Sequence, residues 1–112
     1  MTILKKTITR EELNTFYNHC FGDMIKGVVD VADRILAIDA ELHADLEALL
    51  LSNGAAQENL WGINLWPEED DEDFVEFDSL INIRPWQGNR GRDVSDPEIQ
   101  RQIIEVVNQW IK

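Results

Sequence analysis

The chain has 112 residues, which is the usual size of one domain with one hydrophobic core. Its 22 acidic residues outnumber the 10 basic ones and leave a net charge of -12, so we expect no binding to nucleic acid or to an anionic membrane. An apolar fraction of 44%, with few glycines and prolines, is typical of a folded protein rather than a disordered one.

No part of the sequence predicts export or membrane insertion. The first residues lack the apolar stretch of a signal peptide, and no later apolar run is long enough to span a bilayer. The single cysteine, Cys20, has no partner for an internal disulfide and lies on the apolar stripe of an expected helix. We therefore expect a cytoplasmic protein with a buried Cys20 thiol.

The first expected helix begins at Thr9 and ends near Gly22. Thr9 is a good N-cap, and Glu12 at the third helical position completes a capping box with it. Apolar residues recur at helical spacing after this cap. The first helix is therefore expected to bury one face.

Residues 24–38 are expected to form a β-hairpin. β-branched residues alternate with other residues on both sides of a turn at 32–34, which is the pattern of two short strands. One long helix over 23–51 is the competing interpretation. It would place Gly27 and several Val and Ile residues in a helix interior, where they are unfavourable.

A second helix is expected over 40–54. Its leucines recur at helical spacing, an Asn-Gly pair marks its end, and Asp39 is a candidate N-cap. The apolar stripe would consist of Leu42, Leu46, Leu49 and Leu50.

A second hairpin is expected from strands at 60–66 and 74–84, joined by a solvated acidic loop at 68–73. Alternation would turn one set of side chains toward the helices and the other toward a polar sheet surface. That surface is either a recognition face or an ordinary solvated face with cross-strand charge pairs. Its residues would be Glu76, Asp78, Asn82 and Arg84, with Asn64 from the neighbouring strand.

The last helix is expected to begin at Pro97, with Ser95 or Asp96 as its cap and an apolar stripe that ends at Trp110. The elements then follow in the order α-β-β-α-β-β-α. We predict a single α+β domain over residues 1–112, with a four-stranded, mostly antiparallel sheet built from two hairpins. Three helices would pack mainly on one face of that sheet.

Hydrogen-bond donors are concentrated in the loop after the last strand. A glycine-containing loop that leads to a helix can bind phosphate or carboxylate through guanidinium groups and free backbone N–H groups. The same arginines could instead pair with carboxylates of the fold or of a second subunit, and no phosphate-loop spacing is present. The candidate ligand-binding residues are Asn64, Asn82, Arg84, Gln87, Asn89, Arg90 and Arg92.

His43 is the candidate for acid–base chemistry, since Asp39 and Glu47 lie four residues before and after it. A His on the polar face of a helix, salt-linked to Glu47, is the simpler interpretation. The two-histidine pattern of a zinc helix is missing, so no metal site and no cofactor are predicted. The sequence does not decide whether the protein is an enzyme, although its motifs favour a protein without enzymatic activity.

Three segments, "AIDAELHADLEALLLSNG", "ENLWGINLWP" and "SLINIRPWQGNRGRDVSDPEIQRQI", resemble a family of small prokaryotic proteins known only as a domain of unknown function. The resemblance covers the chain from about Asp23 onward. It implies a single compact domain and carries no activity, substrate or catalytic residue.

The sequence therefore predicts a small cytoplasmic binding or interaction domain, capable of forming a homo-oligomer. Residues 82–92 would bind an anionic partner. That partner would be a small molecule or a protein that carries acidic or phosphate groups. One alternative is a small hydrolase-type enzyme that uses His43 with Asp39 or Glu47. The other is an acidic partner in a regulatory pair, whose surface covers a basic protein.

Overall fold

The computed structural model describes residues 1–14 and 24–112 of the chain. These residues form an α+β domain with five strands and three α-helices. The strands are β1 (Thr2–Ile3), β2 (Ile25–Asp30), β3 (Ile35–Ile38), β4 (Leu60–Leu65) and β5 (Val75–Glu76). The helices are α1 (Arg10–Leu13), α2 (His43–Ser52) and α3 (Pro97–Trp110), and short 3-10 turns form at Gln57–Asn59, Leu80–Asn82 and Pro85–Gln87. No helix among the described residues is long and apolar enough to cross a membrane.

The sheet is antiparallel throughout, with the strand order β1-β3-β2-β4-β5. β2 lies at its centre, where Val28 is opposite Ala37 of β3 and Gly62 of β4. The predicted hairpin over 24–38 is confirmed, and the competing long helix is wrong. The predicted count of four strands is wrong, because the two-residue β1 also pairs with β3 and is too short to show an alternating pattern.

The two faces of the sheet are covered by different helices. α3 packs with side chains such as Val29 and Ile63 on one face, whereas α2 packs with Val28 and Ala37 on the other. The prediction that the helices lie mainly on one face is therefore wrong for α2. Val28 and Val29 are both fully buried, and a strand that is apolar on both sides gives no signal of which side each helix covers.

The N-terminus of α1 has the expected capping box. Thr9 Oγ1 accepts a hydrogen bond from the Glu12 N–H at 3.0 Å, and Glu12 Oε1 accepts one from the Thr9 N–H at 3.4 Å. The rest of the predicted first helix, including Cys20 and the stop at Gly22, lies outside the described residues.

α2 begins three residues later than predicted. Asp39 has a left-handed φ of 73° and lies before the helix, and Leu42 occupies the N-cap position instead. Leu42 is 58% exposed, whereas His43 is only 8% exposed. The buried stripe consists of His43, Leu46 and Leu50, so the prediction that Leu42 packs in the core is wrong.

The predicted fourth strand ends after two residues. β5 pairs with β4 at Asn64↔Glu76 and Leu65↔Val75, so the second hairpin is present in a short form. The chain then leaves the sheet and turns at Leu80–Asn82. The predicted polar sheet surface is wrong in this part, because Asn82 and Arg84 are almost fully buried.

The last helix is confirmed, and it closes the fold. Asp96 caps α3 by accepting a hydrogen bond from the Glu98 N–H at 2.9 Å, and Pro97 is the first helical residue. After the helix, Ile111 bridges to Ile8, so the residue that follows α3 lies beside the residue that precedes the Thr9 cap.

Candidate functional site

Asn82 belongs to the scaffold beneath the loop and not to an open binding surface. Its side-chain oxygen accepts from the Gly62 N–H at 2.8 Å, and its amide nitrogen donates to the Gly62 carbonyl at 3.0 Å and the Arg92 carbonyl at 3.0 Å. All the hydrogen-bonding groups of its side chain are therefore used inside the fold.

Asn89 has the same role on the other side of the loop. Its amide nitrogen donates to the carbonyls of Asn82 at 2.8 Å and Asp93 at 2.7 Å. Its side-chain oxygen accepts from the backbone and hydroxyl of Ser95, both at 2.9 Å. Asn89 thus connects the loop to the residues that precede α3.

Arg84 is buried, although it carries a charge. Only 1% of the residue is exposed, its guanidinium lies 4.2 Å from the centre of the Trp61 ring, and Nη1 donates to the Gln57 carbonyl at 2.6 Å. Its Nε and Nη2 have no hydrogen-bond partner within the described residues. Burial lowers the pKa of Arg84, and the nearby charge of Glu47 opposes that shift.

Gln87, Arg90 and Arg92, in the outer part of the loop, differ in their contacts. Gln87 donates to the Glu58 carbonyl at 3.1 Å, and Arg92 Nε donates to Asp78 Oδ1 at 2.6 Å. Arg90 is exposed and has no ion pair in the part of the chain that the structure describes. The predicted ligand set is therefore divided, and of its seven residues only Asn64 and Arg92 line one cleft.

That cleft lies between the start of α2, the end of β4 and the segment 76–81. Its volume is about 510 Å³. Leu42, Leu80 and Ile81 are among its apolar lining residues. Its polar lining residues include Lys26, His43, Asn64, Glu76, Asp78 and Arg92. A concave site with an apolar wall and a few placed polar groups is typical of small-molecule sites.

Asn64 lines this cleft, and its side chain is held by neighbouring groups. Its amide nitrogen donates to Glu76 Oε1 at 2.8 Å and to the Asp78 carbonyl at 3.2 Å. Both partners can only accept, so the orientation of the amide is determined. Asn64 is 4% exposed, and its Oδ1 is buried with no hydrogen-bond partner among the described residues.

His43 presents a second acceptor beside Asn64. His43 Nε2 lies 2.8 Å from the Ile63 carbonyl, which can only accept, so Nε2 carries the proton and Nδ1 is the unprotonated nitrogen. Burial lowers the pKa of His43, and so does the charge of Lys26. The hydrogen bond to Ile63, the side chain of Asn64 and the charge of Asp78 oppose this shift. Asn64 does so because its Oδ1 would accept a hydrogen bond from a protonated Nδ1. The ring is therefore neutral near pH 7.

The predicted acid–base set is not brought together. Asp39 lies before α2 and Glu47 one turn beyond His43, and neither lines the cleft. The expected salt link from His43 to Glu47 is also wrong, because the described hydrogen bond of His43 goes to Ile63.

The carboxylates that do lie in the cleft are Glu76 and Asp78. The alternating pattern along 75–78 predicts that Glu76 and Asp78 share one face of the sheet with Asn64. This pattern is the sequence signal that points to the cleft. His43 was missed as their neighbour, because its position depends on which face of the sheet α2 covers. Within residues 1–14 and 24–112, no group of three His, Cys, Asp or Glu side chains could hold a metal ion.

Comparison with known protein families shows which family the chain belongs to. A family model matches residues 2–110. The chain belongs to DUF5674, a family described as a protein of unknown function. The match begins well before Asp23, where the resemblance seen in the sequence began. No curated protein and no solved structure matches the chain. Membership in the family thus names neither ligand nor reaction.

Proposed function

We propose that this protein is a binding domain and that its ligand occupies the cleft beside His43 and Asn64. The observation that carries the proposal is the neutral His43 ring in the wall of this concave cleft. Its Nε2 is engaged by the Ile63 carbonyl, and Nδ1 remains as a hydrogen-bond acceptor for a donor of the ligand.

The apolar wall supports the same proposal. Leu42 and Leu80 are 58% and 66% exposed, and both line the cleft. Large exposed apolar side chains next to buried polar acceptors favour a ligand that is partly apolar and carries hydrogen-bond donors. The loop 82–92 then acts chiefly as the support behind this wall, since Asn82 and Asn89 are fully engaged inside it.

The other functions expected from the sequence have less support. An anion or acidic partner would have to use Arg90, which is exposed, because Arg84 is buried and Arg92 is paired with Asp78. A hydrolase would have to use His43 without Asp39 or Glu47. A cytoplasmic location and a homo-oligomer remain predictions.

A thermal-shift screen with sugar phosphates, carboxylic acids and amines tests the cleft. Leu42→Trp fills it, and Leu51→Trp is the matched control, because Leu51 is an exposed leucine of α2 that does not line it. We expect at least one compound to raise the Tm of the parent and of Leu51→Trp, but not of Leu42→Trp.

Two results of the screen would count against the cleft. If every stabilising compound acts equally on both tryptophan variants, its binding site lies elsewhere. A shift that is lost only in Arg90→Ala would favour the anion site in the loop.

A further inference from the structure

We propose that Asn64 and Glu76 are positioning residues for His43, and that a proton taken up by its Nδ1 is held by Asn64 Oδ1. This proton completes a chain of hydrogen bonds from the Ile63 carbonyl, through the ring and the amide, to the Glu76 carboxylate. The chain would make the cleft sensitive to pH. Because the cleft is the same, this control by pH rests on the proposed function.

The amide of Asn64 cannot satisfy all of its neighbours while the His43 ring is neutral. Its Nδ2 donates to Glu76 Oε1 at 2.8 Å and to the Asp78 carbonyl at 3.2 Å. The flipped orientation of the amide would direct Nδ2 toward the ring, but it would place Oδ1 against two groups that can only accept. The Glu76 carboxylate and the Asp78 carbonyl therefore keep Oδ1 on the side of His43.

The neutral ring presents an acceptor to this oxygen. His43 Nε2 donates to the Ile63 carbonyl at 2.8 Å, so Nδ1 is the nitrogen without a proton. Asn64 Oδ1 is buried and has no hydrogen-bond partner among the described residues. Two acceptors form no hydrogen bond with each other. A proton on Nδ1 turns the pair into a donor and an acceptor, and Oδ1 then gains the partner that it lacks.

The charged groups that surround the ring belong to other elements of the fold. Burial lowers the pKa of His43, and the charge of Lys26 lowers it too, whereas the neighbouring amide and the charge of Asp78 raise it. β3 contributes only apolar residues, and the carboxylates of α2, on Asp45 and Glu47, do not line the cleft. Lys26 and Asp78 act on the ring through charge, whereas the amide can accept its proton. The charged residues that line the cleft are Lys26 of β2, Glu76 of β5, and Asp78 and Arg92, which pair with each other.

Proton uptake changes what the cleft offers to a ligand. The neutral ring offers Nδ1 as an acceptor, whereas the protonated ring has lost that acceptor and directs Nδ1–H to Asn64 Oδ1. A ligand donor and a proton therefore exclude each other at His43. Since the pKa of His43 lies below its ordinary value of 6.5, the protein would release such a ligand as the pH falls below that value.

Nitrogen NMR of the imidazole ring tests the chain of hydrogen bonds without any ligand. The spectra show which ring nitrogen carries a proton, and His43→Gln identifies the signals, because the sequence has two histidines. At about pH 8 we expect the proton on Nε2. During titration toward acid, a second proton should appear on Nδ1 and exchange with water more slowly than in free histidine, because its acceptor is buried.

Variants of the two positioning residues test their roles in the same titration. Asn64→Leu removes the acceptor at similar size, and we expect it to weaken proton binding by His43 about threefold to tenfold, the effect of one hydrogen bond. Glu76→Gln removes the charge that orients the amide and should weaken proton binding about twofold to fivefold. Combined with Asn64→Leu, the same change at Glu76 should have an effect below about 1.5-fold. Glu72→Gln is the control at about 0.15 M salt and should also stay below about 1.5-fold, because Glu72 is exposed and shares a pocket with Glu76 but does not bind Asn64.

Three results would overturn the proposal. An unchanged proton affinity in Asn64→Leu would show that Oδ1 does not hold the proton. An equal effect of Glu76→Gln with and without the amide would show that its charge acts through space. If Asn64→Leu does not fold, the parent still decides, because rapid exchange of the Nδ1 proton would show that it points to solvent. All three leave the proposed function standing, which fails instead if no compound of the thermal-shift screen depends on Leu42.

Discussion

The side-chain amide of Asn82 pairs with both backbone groups of Gly62, accepting from its N–H at 2.8 Å and donating to its carbonyl at 3.0 Å. A neighbouring strand would normally satisfy these two groups of β4. Here one side chain replaces the strand, and the chain is free to leave the sheet after β5 and build the wall of the cleft. Asn82 therefore links the sheet to the candidate site.

Removal of this amide should destabilise the protein strongly. Asn82→Ala leaves the N–H and carbonyl of Gly62 buried without partners, so we expect a loss of about 3 kcal/mol in the free energy of unfolding. Urea denaturation measures it. Asn53→Ala is the control, because Asn53 donates a single exposed hydrogen bond to the Leu49 carbonyl and should cost less than about 1 kcal/mol. Equal losses in the two variants would contradict the structural role of Asn82.

Gly62 should tolerate no side chain, because a β-carbon there would lie 2.5 Å from both Cβ and Oγ of Ser79. We expect Gly62→Ala to cost about 1–3 kcal/mol and part of that cost to disappear in the double variant with Ser79→Gly. Gly27→Ala is the control, since its nearest contact would be an ordinary 3.4 Å. A double-mutant cycle in urea measures the coupling, and strictly additive effects would show that Ser79 is not the obstacle.

The buried charge of Arg84 should contribute less to stability than its shape. Arg84→Met keeps a long side chain beside Trp61 and removes a charge that has no ion pair among the described residues. Arg84→Lys keeps the charge but places a more strongly hydrated ammonium in the core. We expect the Lys variant to be less stable than the Met variant by at least about 1 kcal/mol in urea denaturation.

Matching substitutions at Arg90 provide the control for Arg84. Arg90 is exposed, so Met and Lys there should both change the free energy of unfolding by less than about 0.5 kcal/mol. If Arg84→Met were the more damaging change, the charge of Arg84 would be stabilised in the fold, with Glu47 as the source of that effect.

The neutral state of His43 should make stability depend on pH. Burial lowers the pKa of His43 from its ordinary value of 6.5, so between the lowered pKa and 6.5 the unfolded chain binds more protons than the folded one. The contribution of His43 is complete above pH 6.5 and is lost as the pH falls below it. From about pH 7.5 to about pH 5.5, the free energy of unfolding should fall more in the parent than in His43→Gln. Equal falls would refute a lowered pKa.

The elements that could be predicted from the sequence are those determined by neighbouring residues. Asp96 and Pro97 mark the start of α3 because cap geometry involves only adjacent residues. β2 and β3 were predictable because their β-branched residues flank a turn at 32–34. The segment 79–84 alternates like a strand, yet its structure depends on hydrogen bonds between Asn82 and Gly62, which lie 20 residues apart. No local pattern records such a contact.

The candidate site was predictable only in part for the same reason. Alternation grouped Asn64 with Glu76 and Asp78, and all three line the cleft. It also added Asn82 and Arg84, which the structure buries behind the loop. Composition shows that a segment is rich in donors, but it does not show whether the fold has already used them.

The sequence by itself determined the α+β class, the central hairpin, the acidic charge and the capped last helix, because propensity, alternation and capping act over a few residues. Only the tertiary structure decided that α2 covers the face opposite α3 and brings His43 to Asn64. β2 and β3 are buried on both sides, so the choice of face rests on the packing of the whole domain. That choice creates the cleft and places the His43 ring in its wall.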